Sequence, residues 1–147
     1  MIEFRREREA ADLAEDARQL LVELDRDVPG ASTATGECRP SLDVVETAAA
    51  VEVVIDVPGM PATALRVMVR RNTVLVVGAK VGAGPAGDAR YHVAERSHGR
   101  FARAVRLTGA VDASRARAVM QSGLLRIILL RIDDRRGAPI RIQVEQQ

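Results

Sequence analysis

Two spacings of apolar residues divide this chain. Between Glu3 and about Asp27, Ala10, Leu13, Ala17, Leu20 and Leu24 recur at alternating three- and four-residue steps, among Glu, Arg and Ala and without Gly or Pro. Steps of that size lay one stripe along an α-helix. The stripe is narrow, and a helix of this kind is marginal alone, so it needs a surface to pack on. A coiled-coil seam, a surface for binding other proteins, and packing within the subunit all satisfy the pattern. Pro29 to Pro40, carrying Gly30, Ser32, Thr33, Gly36 and Cys38, reads as a linker.

From Ser41 the period becomes two. Leu42, Val44 and Glu46 open a short strand; Val51, Val53, Ile55 and Val57 alternate with Glu52 and Asp56; Leu65, Val67 and Val69 alternate with Arg66 and Arg70. Pro58-Gly59 and Arg71-Asn72 supply turns after the last two runs. Val74 to Val77 is a continuous apolar run that suits a strand buried on both faces. Lys80 to Asp88 is Gly-, Ala- and Pro-rich and reads as a flexible loop; Tyr91 to Glu95 reads as a short strand beyond it. After a Ser97-His98-Gly99 turn come the strand Phe101 to Leu107, an ambiguous helix-or-strand segment at Arg117 to Gln121, an apolar strand at Leu124 to Ile132, and an Ile140, Ile142, Val144 alternation. Strands without intervening helices predict an antiparallel sandwich.

One residue breaks the apolar rows. Phe101, Arg103, Val105 and Leu107 share a face of an extended chain, with Ala102, Ala104 and Arg106 on the other. A guanidinium in an apolar row needs a carboxylate or several carbonyls, and a partner chain across a sheet edge commonly provides them.

Composition narrows the function classes. Phe, Tyr and Trp make up 2% of the chain, so valine, leucine, isoleucine and alanine must fill the core, and the aromatic platforms of single-stranded nucleic-acid binders are missing. The net charge is only +2, and Arg is interspersed with Asp and Glu, which predicts a solvated mixed surface and no nucleic-acid partner. Cys38 is the single cysteine, so no internal disulfide can form and a reducing, cytoplasmic setting is expected. Residues 1–30 hold no apolar run of signal-peptide or membrane-span length, so no membrane association is expected.

Three patterns invite chemistry and do not sustain it. Gly82, Gly84 and Gly87 spell G-x-G-x-x-G, but Pro85 lies inside it and a short strand follows where a dinucleotide site needs a helix, so a flexible linker is the better account. His92, Glu95 and His98 match no metal-binding spacing, and His92 and Glu95 would face opposite ways on a strand. No Ser or Cys stands in a nucleophile context. The expectation is no enzyme, no cofactor and no metal.

From about Pro40 to Val144 the chain resembles the small heat-shock proteins, the α-crystallin domain family. The resemblance rests on Leu42 to Thr47 (LDVVET), Val53 to Met60 (VVIDVPGM), Asn72 to Lys80 (NTVLVVGAK), Glu95 to Arg103 (ERSHGRFAR) and Ala118 to Leu130 (AVMQSGLLRIILL), in order and at matching spacing. Two departures stand out: Leu107-Thr108 replaces a leucine-proline pair, and Leu130-Arg131 a proline-lysine pair. Without those prolines the strands are expected to run a residue or two further.

The resemblance implies an immunoglobulin-like antiparallel β-sandwich spanning 40–132, preceded by a helical arm and linker at 1–39 and followed by a short C-terminal extension at 133–147. It implies a stress-response chaperone, an ATP-independent holdase for partly unfolded client proteins, with ATP-dependent chaperones as further partners. A homodimer would form by exchange of the loop strand Arg90 to Glu95, placing Tyr91, His92, Val93, Glu95 and Arg103 at the interface. Ile140 and Ile142 would anchor in a groove lined by Leu65, Val67, Val69, Ala118 and Met120, within a subunit or between subunits of a larger homo-oligomer. Leu13, Leu20 and Leu24 would contact clients or other subunits. The rival is a structural or adaptor protein that uses the same sandwich to bind one defined partner.

Overall fold

A computed structural model describes residues 2–34, 36–132 and 139–147. A helix α1 (Ile2–Asp27) is followed by strands β1 (Leu42–Glu46), β2 (Ala50–Asp56), β3 (Leu65–Arg70), β4 (Thr73–Lys80), β5 (Gly99–Arg106), β6 (Val111–Gln121), β7 (Leu124–Arg131), β8 (Ile140–Ile142) and β9 (Val144–Gln146). They form two sheets, ordered β1-β2-β7-β6-β9 and β5-β4-β3-β8. All pairs are antiparallel except β6 with β9.

The period-two residues make the core. Val51, Val53, Ile55, Leu125, Ile127 and Leu129 from one sheet meet Leu65, Val67, Val69, Val74, Val76 and Phe101 from the other. The turns follow local chemistry. Ser122 and Gly123 both have positive φ, 53° and 77°, as a two-residue hairpin loop matched to strand twist requires. Arg71 and Asn72 join β3 to β4, and Asn72 then clasps the end of β5: its carbonyl accepts from the Leu107 amide at 2.7 Å, and its side-chain amide donates to the Leu107 carbonyl at 2.9 Å.

Three segments differ from expectation. The Arg117–Gln121 segment is the second half of a long strand, β6, whose register shifts between Asp112 and Arg117; the Asp112 carboxylate accepts from the amide and hydroxyl of Ser114 there. Of the two strands lacking a terminal proline, β7 does run on to Arg131, whereas β5 stops at Arg106 because the Asn72 clasp ends it. No strand forms at Tyr91–Glu95: residues 90–97 are exposed and unpaired with either sheet. A Gly- and Ala-rich loop has little apolar surface with which to fold back on its own domain.

Helix α1 lies on the outer face of the β3–β4 sheet. Leu20 and Leu24 are fully buried there with Met68, Leu75, Val77 and Ala79, and Leu13, Ala17 and Leu21 pack at the margins. β4 is therefore covered on both faces, as its unbroken apolar run requires. Ala10, at the start of the predicted stripe, is exposed, and Phe4 is 77% exposed, so the first turns run past the sheet.

Arginines clamp the helix. Arg70 makes two bonds to Asp16, 2.8 and 3.0 Å, and Asp16 is the one buried charged side chain among the described residues. Glu23 takes two bonds from Arg141 of β8, 2.9 and 2.6 Å, and lies 3.5 Å from Arg66; Arg66 also reaches Asp27, Arg71 reaches Glu9, and Arg100 reaches Asp25. Glu9, Asp16 and Glu23 are seven residues apart, about 10 Å along a helix, while Arg66 and Arg70 are about 13 Å apart along a strand. The two rows are close enough in pitch for flexible side chains to join. The interspersed charges expected to form a solvated surface are thus partly spent across one interface.

Two outcomes follow. A Cβ on Gly78 would lie 2.5 Å from the Phe101 ring and 2.9 Å from Leu65, because that ring lies across the glycine directly opposite it in the sheet. Gly78→Val is expected to cost ~1–3 kcal/mol or more by overpacking, seen as a melting temperature lowered by about 2–4 °C per kcal/mol; an unchanged melt contradicts this packing. The Glu23 carboxyl is held below its ordinary 4.5, first by the hydrogen bond from Arg141 and then by the charges of Arg141 and Arg66, against an opposing effect of burial. Its folded value is depressed, so its contribution to docking is complete above the unfolded value and lost as pH falls through the folded one. Protease cleavage within α1 should therefore rise on going from about pH 6 to about pH 3, and Glu23→Gln should raise cleavage at neutral pH and flatten that rise.

Candidate assembly and client-binding surfaces

Sheet edges and the segments that close them are the features of this molecule that bear on function. β5 is the outermost strand of its sheet, and its side chains alternate as the sequence predicts. Phe101 and Leu107 are buried and Val105 partly so, with Arg103 among them; Ala102, Ala104 and Arg106 face solvent. The half-buried Arg103 donates one hydrogen bond, from Nη1 to the Pro40 carbonyl at 2.5 Å. Among the described residues that is its one hydrogen-bond partner, and a guanidinium carries five N–H donors.

On the same side of the sandwich as β5, β1 is the outermost strand of the other sheet, with Val44 and Val45 exposed on opposite faces. An apolar strand with one unpaired edge is a template for another strand. The four expected interface residues of the loop are all exposed: Tyr91, His92, Val93, which is 70% exposed, and Glu95. Tyr91 and Val93 stand two residues apart, so an extended conformation would place them on one face. Within the chain the Tyr91 hydroxyl donates to the Ala83 carbonyl at 3.3 Å. The loop and Arg103 are not brought together into one site by the single chain.

The C-terminal extension closes the open side of the sandwich. β8 pairs with β3, Ile142 opposite Val67 and Ile140 opposite Val69; the chain then crosses at Gln143, and β9 pairs with β6, Val144 opposite Ala118. The expected groove residues Leu65, Val67, Val69, Ala118 and Met120 are all buried in the core that this segment covers. The wedge itself differs from the expected Ile140–Ile142 pair. Ile142 is 8% exposed and Val144 packs against the same core, whereas Ile140 is 36% exposed. The crossing between sheets centres the apolar contact on Ile142 and Val144 and leaves Ile140 on the rim. The segment sits on its own subunit, and residues 133–138, which lead into it, lie outside the described residues.

The remaining chemistry-bearing residues form no site. His92, Glu95 and His98 do not come together as a ligand set, and no metal-competent cluster occurs among the described residues. The His98 ring instead lies against Gly82. Cys38 is part-buried against the core, and burial pushes its thiol above the ordinary value, which disfavours the reactive thiolate. No described helix is long and apolar enough to cross a membrane.

The stripe of α1 leaves packing within the subunit as one of three alternatives, and its arginine clamp is not among the sequence expectations. The signal was present: acids at 9, 16 and 23 flank the leucine stripe, and Arg66 and Arg70 flank Met68 on the outward side of β3.

Comparison with known proteins agrees with this geometry. The model of the Hsp20/alpha crystallin family matches residues 43–145. The chain is 35% identical over 97 residues to an 18.9 kDa heat shock protein of Oryza sativa subsp. japonica, covering 65% of this chain and 55% of that protein. It is 33% identical over 93 residues to a 22.0 kDa heat shock protein of Arabidopsis thaliana, covering 62% and 47%. It thus spans about half the length of the curated relatives it matches. Among solved structures, heat shock protein 16.0 from Schizosaccharomyces pombe superposes with a TM-score of 0.60 at 26% identity, covering 69% of this chain and 94% of that one. A small heat-shock protein from Xylella fastidiosa shares the fold, with a TM-score of 0.59 at 20% identity over 71% and 96% of the two chains. A two-sheet sandwich with an arginine in its edge row, a long exposed loop and an apolar C-terminal closure, matched over most of its length, places this chain in the Hsp20/alpha crystallin family.

Proposed function

We propose that this protein is an ATP-independent holdase that captures partly unfolded proteins and keeps them from aggregating, and that it works as a homodimer and larger homo-oligomer. The observation that carries this reading is that apolar surfaces of the sandwich are covered by segments from the two ends of the described chain: the Ile142–Val144 wedge over the core, and Leu20 with Leu24 over the outer face of β4. Covers held by a few apolar side chains open at low free energy. What they uncover is the kind of contiguous apolar patch that takes up other apolar surface. Charged residues over the rest of the exterior keep a loaded complex in solution.

In this reading 1–39 is the arm, 40–132 the sandwich and 133–147 the detachable extension, in a cytoplasmic setting. Arg90–Glu95 crosses to a second subunit and pairs with the free edge of its β1, where Tyr91 and Val93 meet Val44 or Val45. The stretch from Lys80 to Arg90 can span roughly 35 Å when extended. Arg103 then finds partner-chain acceptors for its remaining donors. Released clients pass to ATP-dependent chaperones. No reaction is catalysed.

Two measurements check this. With a heat-labile client at an equimolar ratio and no nucleotide, light scattering on heating should be strongly suppressed; undiminished aggregation sinks the holdase reading. Mass by multi-angle light scattering should be that of a dimer or larger for the intact chain, and should fall to monomer for Tyr91→Asp with Val93→Asp. A monomeric intact chain would favour the adaptor reading.

A further inference from the structure

The face beneath α1 is more than a place to store the arm. Its apolar strip consists of Met68 on β3 and Leu75, Val77 and Ala79 on β4. Register extends the strip onto β5, where Ala104 lies opposite Leu75 and Ala102 opposite Val77, and both alanines are exposed, so the helix fills only part of its width. Arginines border the strip: Arg66, Arg70 and Arg141 on the β3–β8 side, Arg100 and Arg106 on the β5 side. An apolar lane between two cationic rims fits a helix whose apolar stripe is flanked by carboxylates, and α1 is such a helix, with Asp16, Glu23 and Asp27 towards β3 and β8 and Asp25 towards β5.

We propose that the outer face of β3, β4 and β5 is a receptor for acidic amphipathic helices, occupied at rest by α1 and yielded to helices of that chemistry on partly unfolded proteins. The proposal rests on the holdase reading for the origin of its ligands and adds to it a site and a class of segment. The resting occupant is displaceable by construction. Only two of its apolar side chains are fully buried, and its ion pairs other than Asp16–Arg70 are partly exposed, where salt screens them in part. Glu23 gives the exchange a direction. When α1 leaves, Arg66 and Arg141 lose their shared carboxylate, and the next occupant is favoured in proportion to the negative charge it brings.

The test uses the full-length chain and a dye-labelled synthetic peptide of residues 2–27, with a control peptide whose Glu9, Asp16, Glu23, Asp25 and Asp27 are replaced by Lys. In the chain carrying Asp16→Lys with Glu23→Lys, α1 should become cleavable by trypsin, and the native peptide should bind about tenfold tighter than to the unaltered chain, that is, with about a tenth of the Kd. The control peptide should not bind, and about 0.5 M NaCl should weaken the native one. Adding Arg70→Gln and Arg100→Glu, neither of which places a carboxylate opposite the introduced lysines, should abolish binding while the melting curve stays cooperative. Equal binding of the two peptides, no binding to a chain whose α1 is cleavable, or an α1 still protected after both acids are reversed would each overturn the proposal. Client-aggregation assays on the same chains separate the two readings. Suppression without peptide binding removes the receptor and keeps the holdase; peptide binding without suppression does the reverse.

Discussion

β4 has no polar face. Its inward residues Val74 and Val76 fill the sandwich, and its outward residues Leu75, Val77 and Ala79 are as apolar as the core. A sheet with one apolar face can stand against water on the other; a strand with two cannot, because each uncovered side chain the size of Leu75 or Val77 forfeits on the order of 1.5–3 kcal/mol. The arrangement of the molecule follows from that constraint. A second sheet must lie on one side, and something must lie on the other. Helix α1, too narrow in its apolar stripe to persist alone, is what this chain provides.

The same reasoning explains why the cover is a light one. Leu20 and Leu24 anchor it, and a row of arginine–carboxylate pairs sets its position; apart from the buried Asp16–Arg70 pair, these are partly exposed pairs that contribute about 0–1 kcal/mol each. Their chief effect is register: acids seven residues apart on the helix meet arginines four apart on the strand. The C-terminal closure follows a parallel logic. One short segment adds a strand to each sheet in turn, so that Ile142 and Val144 wedge between the layers, and Arg141, just before Ile142, ties the wedge to the helix through Glu23. The helix and the C-terminal closure thus share one carboxylate.

Much of the sandwich was legible because period-two burial states which residues face inward. Leu65, Val67, Val69, Val51, Val53 and Ile55 are all where alternation puts them, and the Val74–Val77 run announced a strand covered twice. What covered its second face was not legible, since a narrow helical stripe and an apolar strand face carry no mark that they belong together; the matching rows of acid and arginine were the available signal. The expected Tyr91–Glu95 strand needs an edge to pair with, and within the single chain this loop pairs with neither sheet. Of the expected pair, Ile142 packs on the core and Ile140 lies on the rim, because alternation cannot show where a chain changes sheets. Gln143 does so, and that moves the closure from Ile140–Ile142 to Ile142–Val144.

Hydrogen–deuterium exchange of the backbone of α1, resolved by mass spectrometry, tests the central claim most directly. An undocked helix of this composition frays and exchanges along its whole length. Docking on β4 predicts slow exchange from Leu13 to Asp27 and fast exchange over the exposed first turns. Fast exchange throughout α1 while the sandwich strands stay protected would contradict the account.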